Sequence, residues 1–318
     1  MQVYYWPGEQ PPPPDHSVTT VGVFDGVHLG HQAILHEVVA EARHRGASSV
    51  VITFDRHPHQ VLHGPHEPCI TSLVHRVRLF EELGLDRCLV VRFTPQVAAM
   101  EAVEFARTVI RDLLHTRLLI VGPDWRFGRA GAGGIELCRQ MAEELALTAR
   151  EVESVRVGGE VVSSTAIRRA VVKADLRQAL RLLGRPFSLF GTVARGAGRG
   201  RILGYPTADL DVHNELVPRD GVYATRACVG PRWLDSVTSV GMQRTFSTAP
   251  RHPSLVEVHI MDVDLDLYGQ DIEVRFIEWL RGQKRFPSAQ ALAEQIGLDV
   301  EKARRLLSRH AQGLRGQA

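Results

Sequence analysis

The chain has 318 residues, of which 38 are basic and 36 acidic, for a formal net charge of +2. Hydrophobic residues at 44% and charged residues at 23% exclude a wholly disordered chain, and the near balance of charge argues against nucleic acid as a partner. This length exceeds what one core usually encloses, so two domains are expected.

The elements follow in chain order. Residues 1–17, with prolines at 11–14, read as an extended lead-in outside any sheet. From residue 18 to 184, short β-branched runs alternate with amphipathic ones, the signature of βα units on a parallel sheet. Strands are predicted at 19–24, 49–54, 88–93, 118–122 and 147–155. Between the first two, Ile34, Leu35, Val38, Val39 and Ala42 share one helical face, and Gly46 supplies a stop. Leu73, Val77 and Phe80 form a second stripe, and Val103, Ala106, Ile110, Leu113 and Leu114 a third. A long helical pattern after Ser163 breaks near Ala174 and Asp175 and ends at Gly184. Beyond it, runs at 191–194, 221–227, 236–240, 255–263 and 272–277 read as the strands of a small antiparallel barrel or sandwich. A last helix begins near Ser288 and covers an end or flank.

The fold class is therefore α/β followed by β, with ligands of the first domain expected beyond the carboxyl ends of its strands. Four cysteines, Cys69, Cys88, Cys138 and Cys228, lack C-x-x-C spacing and read as reduced thiols. No signal-peptide pattern opens the chain, and no apolar run reaches the roughly 20 residues that cross a bilayer, so a cytoplasmic protein without membrane partners is expected.

The richest stretch is Val21-Gly22-Val23-Phe24-Asp25-Gly26-Val27-His28-Leu29-Gly30-His31, which closes a buried strand and opens a helix. Glycines at such a turn let backbone approach a phosphate, and helix N-terminal amides donate to it. His28 and His31, three apart, lie on one side of the first turn, where they suit charge building on an α-phosphate. No G-x-x-x-x-G-K-[ST] occurs and no G-x-G-x-x-G follows the first strand, which excludes P-loop and dinucleotide-fold readings. Ser163, Ser164 and Thr165, with Arg168 a turn later, combine hydroxyls, amides and a guanidinium suited to the remaining phosphates, although a plain helix cap would use the same hydroxyls.

These motifs, with Thr53-Phe54-Asp55-Arg56-His57-Pro58 and Val121-Gly122-Pro123-Asp124-Trp125-Arg126-Phe127-Gly128, resemble in order those of bacterial bifunctional riboflavin kinase/FMN adenylyltransferases, the prokaryotic FAD synthetases. In the second half, Gly204-Tyr205-Pro206-Thr207-Ala208-Asp209, Asp220-Gly221-Val222-Tyr223, Glu257-Val258-His259 and Leu267-Tyr268-Gly269 follow the order of the kinase module. The resemblance implies a nucleotidyltransferase domain over 1–185 and a six-stranded kinase barrel with a C-terminal helix over 186–318. It implies ATP, FMN and riboflavin as substrates and Mg2+ on the phosphates. ATP would meet Gly22, Phe24, Gly30, Ser164, Thr165 and Arg168, with His28 and His31 catalytic. Flavin would meet His57, Pro58, Asp124 and Arg126. In the kinase module Gly198 and Thr207 would meet ATP, Thr207 and Asp209 magnesium, and Glu257 would act as base.

Several positions depart from the family pattern. Asp209 stands where asparagine is usual, Arg244 where proline is common, Arg56 for proline, Trp125 for phenylalanine and Gly131 for arginine. From these, residues 130–134 are expected to form a loose flap. The departures leave open a specialised paralogue with a weak kinase or altered flavin or nucleotide preference. A non-catalytic flavin- or RNA-binding regulator, using the Gly/Arg loop at 196–201, is the reading from another class.

Overall fold

The structure, a computed structural model, describes residues 1–9, 12–64, 67–195, 199–242, 254–263 and 265–315. They form two compact units, Met1–Cys69 with Leu73–Ser164, and Ile70–Ser72 with Thr165–Ala318.

The first unit is built on a parallel sheet of order β1-β4-β3-β2-β5-β6. Its strands are β1 (Gln2–Trp6), β2 (Ser17–Val21), β3 (Ser48–Phe54), β4 (Arg87–Val91), β5 (Thr116–Val121) and β6 (Thr148–Glu151). Val50 and Ile52 of β3 pack with Phe105, Val109 and Ile110 on one face, whereas Val51 packs with Leu35, Val39 and Phe80 on the other. Helices therefore cover both faces, which is why the strands read as continuous apolar runs rather than alternating ones. Each fully buried Val, Leu or Ile stabilises this arrangement by about 1.5–3 kcal/mol. The Leu29–Arg45 helix turns Leu35, Val38, Val39 and Ala42 inward and stops at Gly46, whose φ of 61° lets its N–H reach the Ala42 and Arg43 carbonyls.

One expectation is overturned at the start of the chain. Residues 2–6 are not a lead-in but β1, paired in parallel with β4 from Gln2↔Arg87 to Trp6↔Val91. Both faces of this edge strand are used, Val3 and Tyr5 packing on one core and Tyr4 and Trp6 on the other. The proline-rich stretch suggests an extended segment, whereas the five residues before it, rich in aromatics, fit a pleated surface. At the other edge the strand predicted over 147–155 contracts to Thr148–Glu151, and a small hairpin of β7 (Arg156–Val157) and β8 (Glu160–Val161) follows.

In the second unit the predicted helix break is present. The Ser164–Val172 helix ends before Ala174, at φ 56°, and Asp175 caps the Leu176–Leu183 helix through its Oδ1, which accepts from Gln178 N at 3.0 Å. Six antiparallel strands then close a barrel in the order β10-β13-β12-β11-β14-β9. They are β9 (Ser188–Ala194), β10 (Ala208–Val212), β11 (Gly221–Val229), β12 (Arg232–Met242), β13 (Ser254–Ile260) and β14 (Asp271–Arg281). Periodicity alone missed β10, which is short and carries two aspartates. The Ala289–Arg315 helix lies on the barrel flank through Ala303 and Leu307, which pack against Val222, Ala224, Val237 and Leu280. Arg281 of β14 grips Asp299 of that helix with bonds of 2.7 and 3.0 Å, both side chains largely buried. All four cysteines are unpaired in disulfide terms; Cys88, Cys138 and Cys228 are buried and Cys69 is only partly so. Burial pushes the Cys88 thiol up to about 12 and the Cys138 thiol up to about 11.

Candidate active sites

In the first unit the strand order reverses direction between β3 and β5 on either side of β2, so the crevice of a doubly wound sheet falls beyond the end of β2. The chain leaves β2 through a tight turn. Phe24 (φ 54°), Gly26 (φ 84°) and Val27 (φ 41°) are left-handed, and only the glycine adopts that conformation freely. Phe24 and Val27 hold it because both are buried, so strain of about 1–3 kcal/mol apiece is stored next to the histidines. His28 then caps the helix, its Nδ1 accepting from His31 N at 3.3 Å. A neutral His28 bonded in this way carries its proton on Nε2, which makes that atom a donor. The two imidazoles stack 3.6 Å apart at 17°. Phe24 backs the pair with its ring edge-on to His31 at 5.2 Å and to Phe80 at 5.8 Å. A Cβ at Gly30 would stand 3.2 Å from the His28 ring, and one at Gly22 would stand 3.0 Å from Phe24.

Ser164 Oγ donates to the Asp25 carbonyl at 3.0 Å, which places Ser164 against the histidine turn. Thr165 and Arg168 lie within the Ser164–Val172 helix, the first exposed and the second partly buried, and both cluster with the second unit.

Beside the turn lies a cavity of about 360 Å³ at the carboxyl ends of β2, β3, β4 and β5. Its walls are apolar and aromatic, including Phe54, Phe93, Met100, Phe105, Trp125 and Phe127, with Gly22, Pro58, Asp124 and Arg126 around it. Trp125 stacks on Phe127 at 4.5 Å. His57 is not a lining residue; it caps the Pro58–His63 helix, its Nδ1 accepting from His59 N at 3.2 Å. The expected loose flap is instead pinned. Phe127 and Gly133 exchange two backbone bonds of 3.1 and 2.8 Å, and Arg129 N donates to the Met100 carbonyl at 2.8 Å. A Cβ at Gly128 would meet Ala102 at 2.5 Å, so glycine permits this close approach. Sequence reading took the small residues there as slack, whereas they allow tight packing.

Sequence reading also passed over Arg76. It sits in the Leu73–Glu82 helix, is 5% exposed, and donates to the Val23 carbonyl, to Thr53 Oγ1 at 3.3 Å and to the Phe54 carbonyl at 2.9 Å. The signal was a charge within the apolar stripe of Leu73, Val77 and Phe80, at helical spacing from its neighbours.

The barrel carries the second candidate site. Asp209 and Glu257 are directly opposed in the β10/β13 pairing, and Ser239 opposes Glu257 from β12. Val256 and Val258 point into the barrel core, so Glu257 lies on the outer face. Burial of the half-buried Asp209 raises its pKa above the usual carboxylate value. Thr207 is exposed just before β10 and lines a cavity of about 300 Å³ with Arg201, Val258, Leu267 and Tyr268. The Arg199–Ile202 turn approaches it so closely that a Cβ at Gly200 would stand 2.9 Å from Thr207 Oγ1. Gln283, also missed, donates through its Nε2 to Ser239 Oγ at 3.0 Å and to the Val240 carbonyl at 2.9 Å. Gly198 and Arg244 lie outside the described residues.

A parallel α/β sheet ending in a histidine turn, followed by a closed barrel with an acidic outer face, defines a class of two-module phosphate-transfer proteins. Residues 10–166 match the FAD synthetase family and residues 183–307 the riboflavin kinase family. The chain is 34% identical over 294 residues to the bifunctional riboflavin kinase/FMN adenylyltransferase of Escherichia coli K12, spanning 92% of this chain and 93% of that one. It is also 34% identical over 295 residues to that of Pseudomonas fluorescens, spanning 92% and 94%. A crystal structure described as a macrolide-efflux protein from Streptococcus pneumoniae shares 28% identity at a TM-score of 0.81, spanning 96% and 99% of the two chains. The chain belongs to the family of bifunctional riboflavin kinase/FMN adenylyltransferases. Among the described residues no helix is long and apolar enough to cross a membrane.

Proposed function

We infer that this chain makes FAD in two ATP-dependent steps, phosphorylating riboflavin to FMN and then transferring AMP to it. The observation that carries the second step is the stacked His28/His31 pair on a strained turn beside an apolar, aromatic-walled cavity. An isoalloxazine ring is flat and largely apolar, and such a cavity removes it from water with few polar fixings.

In adenylyl transfer an FMN phosphate oxygen attacks the α-phosphorus of ATP, and the bond from that phosphorus to the oxygen of pyrophosphate breaks. No proton need be taken from the nucleophile, so catalysis is positioning and charge stabilisation. His28 and His31 serve that charge, with backbone at Gly22, Phe24 and Gly30 admitting the nucleotide and Ser164 beside the turn. Pro58, Asp124 and Arg126 serve the flavin side, His57 acting through the helix that it caps.

In the kinase step the ribityl 5′-hydroxyl attacks the γ-phosphorus, its proton passes to Glu257 and ADP leaves. Thr207, just before β10, offers a hydroxyl and Asp209, on its outer face, a carboxylate, hard oxygen donors that fit Mg2+. Among the described residues there is no group of three or more His, Cys, Asp or Glu that could hold a metal ion. Mg2+ when bound would neutralise phosphate charge. We assign adenylyl transfer to residues 1–185 and phosphorylation to residues 186–318. The reading is of a cytoplasmic enzyme with small-molecule partners, supported by four cysteines free of disulfides.

The test is incubation with ATP and Mg2+ and either riboflavin or FMN, resolving FMN, FAD and pyrophosphate. His28→Ala should abolish FAD formation and spare FMN formation, and Glu257→Gln the reverse. Equal losses in both steps from either substitution contradict the two-site reading.

A further inference from the structure

Arg76 is a cation where the fold could have used a hydrocarbon. The Leu73–Glu82 helix buries Leu79 and Phe80 against the sheet, and Arg76 goes into the same interior at 5% exposed. Burying a charge is costly unless hydrogen bonds replace its water, and hydrophobic replacements of buried ions are often neutral or stabilising. Packing therefore does not explain an arginine here. Its bonds point to another role.

The pairing of β2 with β3 ends at Val21↔Ile52, after which the two strands diverge and the crevice opens. Val23 and Phe54 lie beyond that last pair. The Arg76 fork spans the opening, Nη1 donating to the Val23 carbonyl and to Thr53 Oγ1, and Nη2 donating to the Phe54 carbonyl. Thr53 Oγ1 itself donates to the Val23 carbonyl at 3.2 Å, and Arg76 braces that bond at both ends and extends it to Phe54, joining the lip that becomes the histidine turn to the lip that runs to His57 and Pro58. The first lip holds two non-glycine residues at positive φ, a conformation that persists only when its surroundings enforce it. The field agrees with the geometry. Burial pulls the Arg76 guanidinium below its ordinary value, and the largest opposing influence is Asp25, in the turn itself.

We propose that Arg76 is a positioning residue for adenylyl transfer, clamping the diverging ends of β2 and β3 so that the strained turn presents His28 and His31 to the crevice. This rests on the adenylyltransferase reading above. Arg76 touches neither histidine; it acts through the Val23 carbonyl and the backbone that follows. A planar fork with donors on two nitrogens can span both lips, whereas an ammonium is a point charge that cannot keep all three bonds in one plane.

The experiment uses the full chain with Arg76→Gln, Arg76→Lys and Arg76→Gly. For Arg76→Gln, kcat for FMN adenylylation should fall by about 10- to 100-fold, the scale of a misplacement near 1 Å, with KM for ATP and FMN little changed. Riboflavin phosphorylation by the same sample should persist, and an unchanged thermal unfolding transition of the first unit shows that the fold around Arg76 is intact. Arg76→Lys should fall between, and added guanidinium ion should partly restore Arg76→Gly. A crystal structure of Arg76→Gln should show Phe24 and Val27 released from φ of 54° and 41°. An unchanged turn with wild-type kcat overturns the proposal. So does a loss of adenylylation that accompanies melting of the first unit without guanidinium rescue, which would mark a merely structural residue. Should the wild-type chain make no FAD from FMN, the functional reading falls, while the turn in the variant crystal still decides whether Arg76 is the clamp.

Discussion

At the residue scale, the histidine turn shows how a small side chain can be set by a large one. Gly30 has no Cβ because one would stand 3.2 Å from the His28 imidazole, and His28 is held in place by its stack on His31. Gly30→Ala should therefore push the ring off its stack and lower FMN adenylylation by about tenfold or more, a loss of at least about 1.4 kcal/mol of transition-state binding. Riboflavin phosphorylation measured alongside should be unaffected. The sequence displayed this turn clearly, because glycines and histidines gather at a strand-to-helix junction, the arrangement expected to suit a phosphate. It did not display Phe24 as the backing of His31, since an aromatic residue in an apolar run carries no mark of which ring it will meet. Arg76 was visible only as a charge in an apolar stripe, and nothing in the string says whether such a side chain snorkels to water or turns inward.

At the element scale, β10 carries two aspartates in five residues. Asp209 faces Glu257 across the β10/β13 pairing, and its burial raises its pKa. A carboxyl whose folded value exceeds its unfolded one binds its proton more tightly when folded. Its contribution to stability is present at low pH and lost as pH rises through the raised value. Asp209→Asn should accordingly raise the thermal midpoint at neutral pH, with the advantage vanishing below about pH 4, near the ordinary carboxylate value. Calorimetry at the two pH values checks this, and a constant difference would show that the shift is not felt. The strand escaped notice although Ala208, Leu210 and Val212 alternate with Asp209 and Asp211, because it is short and aspartate is depleted in strands. The C-terminal helix, by contrast, was legible from its apolar spacing, but its anchor was not. Arg281 and Asp299 are 18 residues apart and meet only in the fold, with 15% and 6% of their side chains exposed. Asp299→Ala leaves a buried guanidinium unpaired and should cost about 3–5 kcal/mol, read as a lower denaturant midpoint with riboflavin phosphorylation lost before FMN adenylylation.

At the scale of the whole molecule, the two units carry separate chemistry on separate folds, and FMN is the product of one and the substrate of the other. A mixture of His28→Ala and Glu257→Gln chains should thus form FAD from riboflavin and ATP, since FMN released by the first variant can diffuse to the second. A lag before FAD appears is expected, shortened by raising the protein concentration, and absence of FAD from the mixture would contradict independent sites. Fold class was legible at this scale because alternation of β-branched and amphipathic runs differs so plainly from the glycine-punctuated strands that follow. The edge strand β1 was not, since proline-rich sequence nearby outweighed five residues that pair only with a strand some eighty positions later.

The distribution of sulfur has a practical consequence. Three thiols lie in the interior, two of them with acidity suppressed far below that of an ordinary cysteine, while Cys69 alone is partly open to solvent. A maleimide dye applied at neutral pH should modify one site per native molecule and four after denaturation, giving a fluorescence readout of unfolding that needs no engineered handle.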